Sequence, residues 1–153
     1  MEKTPFAGNT NTLCCAKTGE DAIVQVCPEG VCLITGGKNM LIHKTEGKDA
    51  IGECAMNKKS LVIAFENKQL MHHKIDKDGL VMKSKIPRRL ISGTVTCMLL
   101  SERSESDQLL AVGISMPPAK TSPGSKVIAS VYEVHLFNIG LSEIKCLYML
   151  KVE

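Results

Sequence analysis

Short apolar runs separated by turn residues set the pattern of this chain. In AIVQVCPEGVCLI, residues 22–34, two such runs flank the letters PEG. Runs rich in Val and Ile that are bounded by Pro and Gly are typical of strands joined by a tight turn. The pattern returns in SLVIAFENKQLMHHKI, residues 60–75, with ENK at the turn. Strand pairs of this kind repeat along the chain, and no convincing helix intervenes.

These runs predict twelve strands. They cover residues 12–17, 22–27, 31–35, 40–44, 51–56, 61–65, 70–75, 80–86, 95–100, 109–114, 131–139 and 144–152. The spacing therefore predicts an all-β fold made of a stack of small antiparallel sheets.

Two parts of the chain look like copies of one unit. Cys54 opens the phrase CAM, which precedes a polar turn and the run LVIA, and Cys97 opens CM, which precedes a longer polar turn and the run LLAV. The two cysteines lie 43 positions apart, a repeat length typical of four-stranded propeller blades. In the strand at 80–86, Val81, Lys83 and Lys85 alternate with Leu80, Met82 and Ser84, and outer blade strands tend to be polar because charge protects a sheet edge.

The strand count predicts an incomplete β-propeller over residues 12–153, with about two four-stranded antiparallel blades plus part of a third. Propellers usually close with roughly four to eight blades, so the end blades should expose apolar faces. Residues 1–11 are expected to be disordered, and the Pro-, Ser- and Gly-rich segment 116–126 is expected to be a mobile loop. A second polar insertion is predicted at 101–108.

The composition adds one candidate surface. The net charge is +3. Aromatic residues make up 3% of the chain and Trp is absent, so there are few rings for a module that reads RNA sequence by stacking. The strongest basic cluster is KSKIPRR, in which Lys83, Lys85, Arg88 and Arg89 are candidate contacts for a protein partner or nucleic acid. The alternative interpretation is a solvated edge strand that runs into a turn.

The cysteines predict a reduced, intracellular chain. Most of the seven lie inside apolar runs, where a free thiol behaves as a small hydrophobe. The N-terminal residues contain no apolar signal region, and no run reaches the roughly 20 apolar residues of a membrane span. Cys27 and Cys32 flank a turn, but a second ligand pair of that spacing is missing, so no metal site is predicted.

No pattern of residues points to catalysis. His135 lies in an apolar strand without a nucleophile on a strand-to-helix turn, so a structural role is expected. Gly36-Gly37-Lys38 does not complete a phosphate-binding loop. The sequence therefore predicts neither an enzyme nor a bound cofactor.

Several phrases together resemble the second propeller of one family of long, three-propeller proteins. The phrases are TLCCAKTGEDAIVQVCPEGVCLI at 12–34, IGECAMNKKSLVIAFENKQLMHHKI at 51–75, VTCMLLSE at 95–102, LLAVGIS at 109–115 and VYEVHLFNIGLSEIKCLYML at 131–150. The family contains the large subunits of the UV-damaged-DNA-binding protein, of the cleavage and polyadenylation specificity factor and of a U2-snRNP splicing factor. Cys32 stands where the family usually has Arg, and segment 116–126 replaces a short connection.

The resemblance implies a non-enzymatic protein-interaction scaffold. In the damaged-DNA-binding member the second propeller docks a cullin, so the leading hypothesis is a segment of a cullin ubiquitin-ligase adaptor in the nucleus or cytoplasm. The alternative is a piece of a splicing or polyadenylation scaffold that joins RNA-processing subunits and contacts nucleic acid. A third hypothesis is a truncated family member without independent function.

Overall fold

Twelve strands and one short 3-10 turn make up the fold in a computed structural model. It describes residues 11–45, 49–77, 79–86, 88–101, 107–118, 123–124, 130–140 and 143–152. The strands are β1 (Cys14–Thr18), β2 (Ala22–Cys27), β3 (Gly30–Thr35), β4 (Lys38–Lys44), β5 (Ile51–Met56), β6 (Ser60–Phe65), β7 (Leu70–Asp76), β8 (Gly79–Ile86), β9 (Thr94–Leu100), β10 (Gln108–Met116), β11 (Val131–Ile139) and β12 (Ile144–Val152). Each predicted strand is present within two residues of its predicted ends.

The strands form three four-stranded antiparallel sheets, each a simple meander. The first sheet contains β1 to β4, the second β5 to β8 and the third β9 to β12, each in chain order from one edge to the other. The prediction of an all-β, incomplete propeller is confirmed. The blade predicted to be partial is a sheet of four strands as well, because Gly30–Thr35 pairs with Ala22–Cys27, and Lys38–Lys44 pairs with Gly30–Thr35 across one register shift.

The second sheet lies between the other two and supplies both cores. Its strand β6 is buried along its whole length. Because successive side chains of a strand point to opposite faces, Leu61 and Ile63 pack against the first sheet, whereas Val62 and Ala64 pack against the third. This double burial accounts for the continuous apolar run in the sequence.

Corresponding strands of neighbouring sheets lie beside each other. The first strands make contact in sequence, β1 with β5 and β5 with β9, and the fourth strands meet likewise, β4 with β8 and β8 with β12. The sheets are therefore arranged as blades, with first strands along one side and fourth strands along the opposite side. The outward faces of the first and third sheets stand at the two ends of the stack.

A disulfide joins Cys14 to Cys54, with 6.7 Å between their Cα atoms. It links β1 of the first sheet to β5 of the second, so the expectation of a fully reduced chain is wrong for this pair. The cause is spatial: the first strands of adjacent blades run side by side, although the two cysteines are 40 positions apart in the chain. The free cysteines among the described residues are Cys15, Cys27, Cys32, Cys97 and Cys146.

The predicted loops lie mostly outside the described residues. This applies to residues 1–10, to 102–106 and to the larger part of 116–126. The expected disorder at 1–11 and the expected mobility of 116–126 therefore stay predictions.

Candidate interaction surface

The predicted basic residues lie on the outer edge of the second sheet. Lys83 and Lys85 are exposed on β8, the fourth strand of that sheet. Arg88 and Arg89 are exposed on the 3-10 turn Arg88–Leu90, which follows that strand and was not predicted. All four cations are therefore carried by one continuous segment of the rim.

Two buried isoleucines hold this segment in place. Ile86 and Ile91 flank the turn, and both are buried in the core between the second and third sheets. The backbone N–H of Ile91 donates a hydrogen bond to the carbonyl of Arg88 at 3.1 Å. Because the chain is anchored on both sides, the two arginine side chains are directed outward.

Lysines are a shared property of all three outer strands. Each carries two lysines and no acidic residue: Lys38 and Lys44 in β4, Lys83 and Lys85 in β8, Lys145 and Lys151 in β12. We call these six side chains, together with Arg88 and Arg89, the basic rim. The sequence indicated only its central part, because the alignment of the three strands depends on how the sheets pack. Lysines on an edge strand also discourage pairing with other chains.

One rim residue acts electrostatically on the interior. Burial lowers the pKa of His72, and the positive charge of Lys83 lowers it further. The β7–β8 register shifts between His72 and His73, and this irregularity leaves Lys83 between the partners Met82 and Ser84. His72 is therefore neutral at physiological pH.

A buried chain of polar side chains connects the second and third sheets, and the sequence did not reveal it. The Asn57 amide donates hydrogen bonds to the Gln108 side-chain oxygen and to the Ser101 carbonyl, both at 2.9 Å. The Gln108 amide donates to the Ser60 hydroxyl at 3.0 Å, and that hydroxyl lies 3.2 Å from Nε2 of His72. These bonds fix the base of the connection between β9 and β10 against the second sheet.

Aromatic rings meet where the first and second sheets pack. The ring centroid of His43 lies 5.8 Å from that of His73 and 6.4 Å from that of Phe65. Burial, His43 and His72 together lower the pKa of His73 to about 4, against an opposing backbone hydrogen bond to Met71. A buried neutral imidazole at this position makes the sheet interface sensitive to acid.

The residues weighed for chemistry occupy structural positions. Nε2 of His135 lies 2.8 Å from a Glu133 carboxylate oxygen, and its ring packs at a tilt against Phe137. Burial, together with the nearby Cys27, raises the pKa of Cys32.

Over the described ranges there is no cluster of three or more His, Cys, Asp or Glu side chains that could hold a metal ion. In the part of the chain that the structure describes, no helix is long and apolar enough to cross a membrane.

Comparisons of this chain with family models and with known proteins point to one family. The family described as the RSE1/DDB1/CPSF1 second beta-propeller matches residues 1–133. The chain is 35% identical over 113 residues to splicing factor 3B subunit 3 of Drosophila melanogaster, covering 72% of the chain and 9% of that protein. It is 38% identical over 112 residues to the protein of the same name from Danio rerio, covering 71% of the chain and 9% of that protein.

A fungal protein extends the same comparison. The pre-mRNA-splicing factor rse1 of Emericella nidulans is 29% identical over 113 residues, which cover 72% of the chain and 9% of that protein. The chain therefore spans about one tenth of the length of the curated relatives that it matches.

Proposed function

Because the chain belongs to the family of the RSE1/DDB1/CPSF1 second beta-propeller, we propose that it is a non-enzymatic scaffold segment of an RNA-processing complex that acts in pre-mRNA splicing. The observation that carries this proposal is its identity of 35–38% to splicing factor 3B subunit 3 over more than two thirds of its length. Since splicing takes place in the nucleus, a nuclear location is part of the proposal.

The relatives' names favour this function over the cullin-adaptor hypothesis. The cullin hypothesis draws on one branch of the family, the damaged-DNA-binding member. The matching relatives are named as splicing factors or, in Arabidopsis thaliana, as spliceosome-associated proteins. RNA-processing subunits are therefore the partners that we propose, in place of a cullin.

The architecture supports a role in protein contact. Three small sheets present turns at their ends and exposed strand edges along their rim. Such surfaces bind through backbone edges and through side chains on loops. A scaffold segment of this kind would contribute contact area and geometry to the complex, without chemistry of its own.

Affinity purification of the tagged chain from its own cells, read by mass spectrometry, tests the proposal. Recovery of splicing subunits is the expected result. Recovery of a cullin with ubiquitin-ligase subunits and without splicing subunits would overturn it in favour of the adaptor hypothesis. Recovery of chaperones alone would overturn it in favour of a truncated chain without independent function.

The basic rim favours a second role, a contact with the phosphate backbone of RNA. Four cations lie on one exposed segment of the second sheet, and the neighbouring outer strands add further lysines, of which Lys145 pairs with Glu143 at 3.0 Å. Neutralising phosphates releases counterions, so binding should weaken steeply as the salt concentration rises. The sparse aromatic residues favour a contact that does not read sequence.

A salt titration of single-stranded RNA binding by fluorescence anisotropy tests this role. If all four central cations contact phosphates, changing Lys83, Lys85, Arg88 and Arg89 to Gln should reduce the slope of log K against log salt by about 3. The control changes Lys17 and Lys58 to Gln, because both are exposed away from the outer strands. It removes two charges, and its slope should equal that of the unchanged chain. Equal slopes for the two variants, or no binding by the unchanged chain at low salt, would contradict the RNA contact.

A further inference from the structure

A groove opens on the outer side of the molecule between the first and second sheets. It has a volume of about 320 Å³ and lies between β4 and β8, the fourth strands of the two sheets. Three residues of each strand line it: Met40, Leu41 and Ile42 of β4, and Gly79, Leu80 and Val81 of β8. Both walls belong to one contact between neighbouring sheets, in which β4 meets β8.

The floor of this groove is continuous with the hydrophobic core. Ile42 and Leu80 pack against the core cluster between the first and second sheets. Gly79 brings the two strands together there, because a methyl group on it would lie 3.8 Å from Cγ2 of Ile42. An apolar side chain that enters the groove would therefore extend a core that already exists.

Two exposed methionines flank the groove. Met40 is 46% exposed and pairs in register with Leu33, which is buried in the same core. Met82 is 51% exposed and pairs with His73, whose ring meets that of His43 in the first sheet. Because cross-strand partners share one face of a sheet, both methionines point toward the gap between the sheets. Flexible thioether side chains of this kind adapt to the shape of a bound apolar group.

The charges beside the groove are mainly positive. Lys38 lies two positions before Met40 and therefore on the same face of β4. Lys85 lies on the same face of β8 as Met82, since their partners on β7 are two positions apart. Neither strand contains an acidic residue. Asp76, the one acidic residue among those that line the groove, accepts a hydrogen bond at 2.8 Å from the next backbone N–H.

We propose that this groove binds an extended acidic peptide of a partner protein, in which apolar side chains alternate with glutamate or aspartate. Alternate side chains of an extended segment point to opposite sides, so the apolar ones enter the groove and the acidic ones stay at the surface, within reach of the long lysine side chains. Lysines disfavour the approach of other chains to an edge strand, and an acidic peptide is the kind of chain that this charge attracts. The inference concerns a binding site and does not rest on the proposed role in splicing, which the affinity purification tests separately.

The apolar lining of the groove favours a peptide over RNA. Positive charge by itself attracts either polyanion. Phosphates and sugars gain nothing from a floor made of Ile42 and Leu80, and none of the residues that line the groove is aromatic, so bases would find no ring on which to stack. An aliphatic side chain gains free energy when the same floor takes it out of water.

Fluorescence anisotropy of a labelled synthetic peptide with alternating glutamate and leucine tests the proposal on the full chain. Two further probes separate its parts. A glutamate–serine peptide lacks the apolar side chains, and single-stranded oligouridine supplies negative charge without a peptide. The glutamate–leucine peptide should bind about tenfold or more tightly than either probe. Equal binding of all three would overturn the proposal, because charge alone would then account for it.

Matched variants locate the site. Met40→Asp and Met82→Asp each place a negative charge beside the apolar lining, so each should weaken binding of the glutamate–leucine peptide by about tenfold or more. Met149→Asp is the control, since Met149 is 67% exposed on the outer strand of the third sheet, outside the groove. It should change the dissociation constant by less than about threefold. Circular dichroism melts establish that all three variants are folded, and equal losses of affinity in the three would overturn the proposal.

The methyl signals of the methionines report the contact directly. In a chain isotopically labelled at the methionine ε-methyl groups, the same three variants assign the signals by nuclear magnetic resonance, because each lacks one of them. Addition of the glutamate–leucine peptide should shift the signals of Met40 and Met82 and leave that of Met149 in place. Shifts at other methionines only, or no binding at millimolar peptide, would contradict the proposal.

Discussion

Asn57 in the second sheet and Gln108 in the third are joined by a buried hydrogen bond, with 2.9 Å between the Asn57 amide nitrogen and the Gln108 side-chain oxygen. The same asparagine accepts hydrogen bonds from the backbone N–H groups of Lys59 and Ser60. The same side chain therefore stabilises the turn after β5 and also binds the neighbouring third sheet.

Replacing this asparagine should be costly. Asn57→Ala leaves the Gln108 oxygen, the Ser101 carbonyl and two backbone N–H groups without this partner, and each buried polar group left unpaired costs about 1–3 kcal/mol. We expect a loss of about 3 kcal/mol in the free energy of unfolding, measured by urea denaturation. The control is Asn67→Ala, since the Asn67 side chain accepts a backbone hydrogen bond in the next turn but its amide donates to exposed Asp49. A loss of the same size in both variants would contradict the inter-sheet role.

Acid should weaken the interface between the first and second sheets through His73. Its folded pKa of about 4 lies below the ordinary histidine pKa of 6.5, so the unfolded chain binds a proton more readily than the folded chain. Stability is therefore complete above pH 6.5 and falls as the pH drops toward 4. Between pH 7 and 5 the expected loss due to this group is about 2 kcal/mol.

His73→Phe isolates that effect, because the ring can keep its packing against His43 while the proton site is removed. Urea denaturation of both proteins at pH 7 and pH 5 should show a smaller loss of stability in the variant. Some dependence on pH should remain, since the pKa of His72 is lowered as well. Parallel losses in the two proteins would show that His73 does not carry the acid sensitivity.

The disulfide between Cys14 and Cys54 should stabilise the chain by restricting its unfolded state. For a loop of 40 residues, the chain-entropy estimate is about 4 kcal/mol. Reduction or Cys14→Ser should lower the melting temperature, and reduction should have no further effect on that variant. Cys15→Ser is the control, because the neighbouring thiol is free and exposed. A melting temperature of the unchanged chain that does not respond to reductant would contradict the prediction.

Gly93 should tolerate no side chain. A methyl group at this position would collide with the Ser115 backbone carbonyl and with the side chain of Ile114. Gly93→Ala should therefore destabilise the third sheet by about 2–3 kcal/mol, as overpacking does in a close-packed core.

Gly52→Ala provides the comparison, since the nearest atoms to an added methyl there are 3.8 Å away. We expect its free energy of unfolding to stay within about 0.5 kcal/mol of the unchanged chain. Thermal and urea denaturation of the two variants side by side will check the difference, and equal stabilities would refute the steric argument.

The sequence by itself determined the strands and their grouping into blades. The alternation of apolar and polar residues, the turn-forming residues and the short connections are local properties of the sequence. A meander pairs strands that are adjacent in the chain. For that reason β2 and β11 lie where the pattern predicted them, and the exposed side chains of Lys83 and Arg88 were predicted as candidate contacts. The 3-10 turn that carries Arg88 was missed because its position depends on the burial of Ile86 and Ile91 on either side.

Only the tertiary structure decided what lies between the sheets. Cys14 meets Cys54, and Asn57 meets Gln108, across 40 and 51 positions of the chain, and no local periodicity encodes such pairs. The basic rim arises in the same way, because side chains from separate strands come together only when the sheets stack. Residues that are neighbours in sequence thus specify each strand, whereas contacts between distant residues specify the surfaces through which this protein can act.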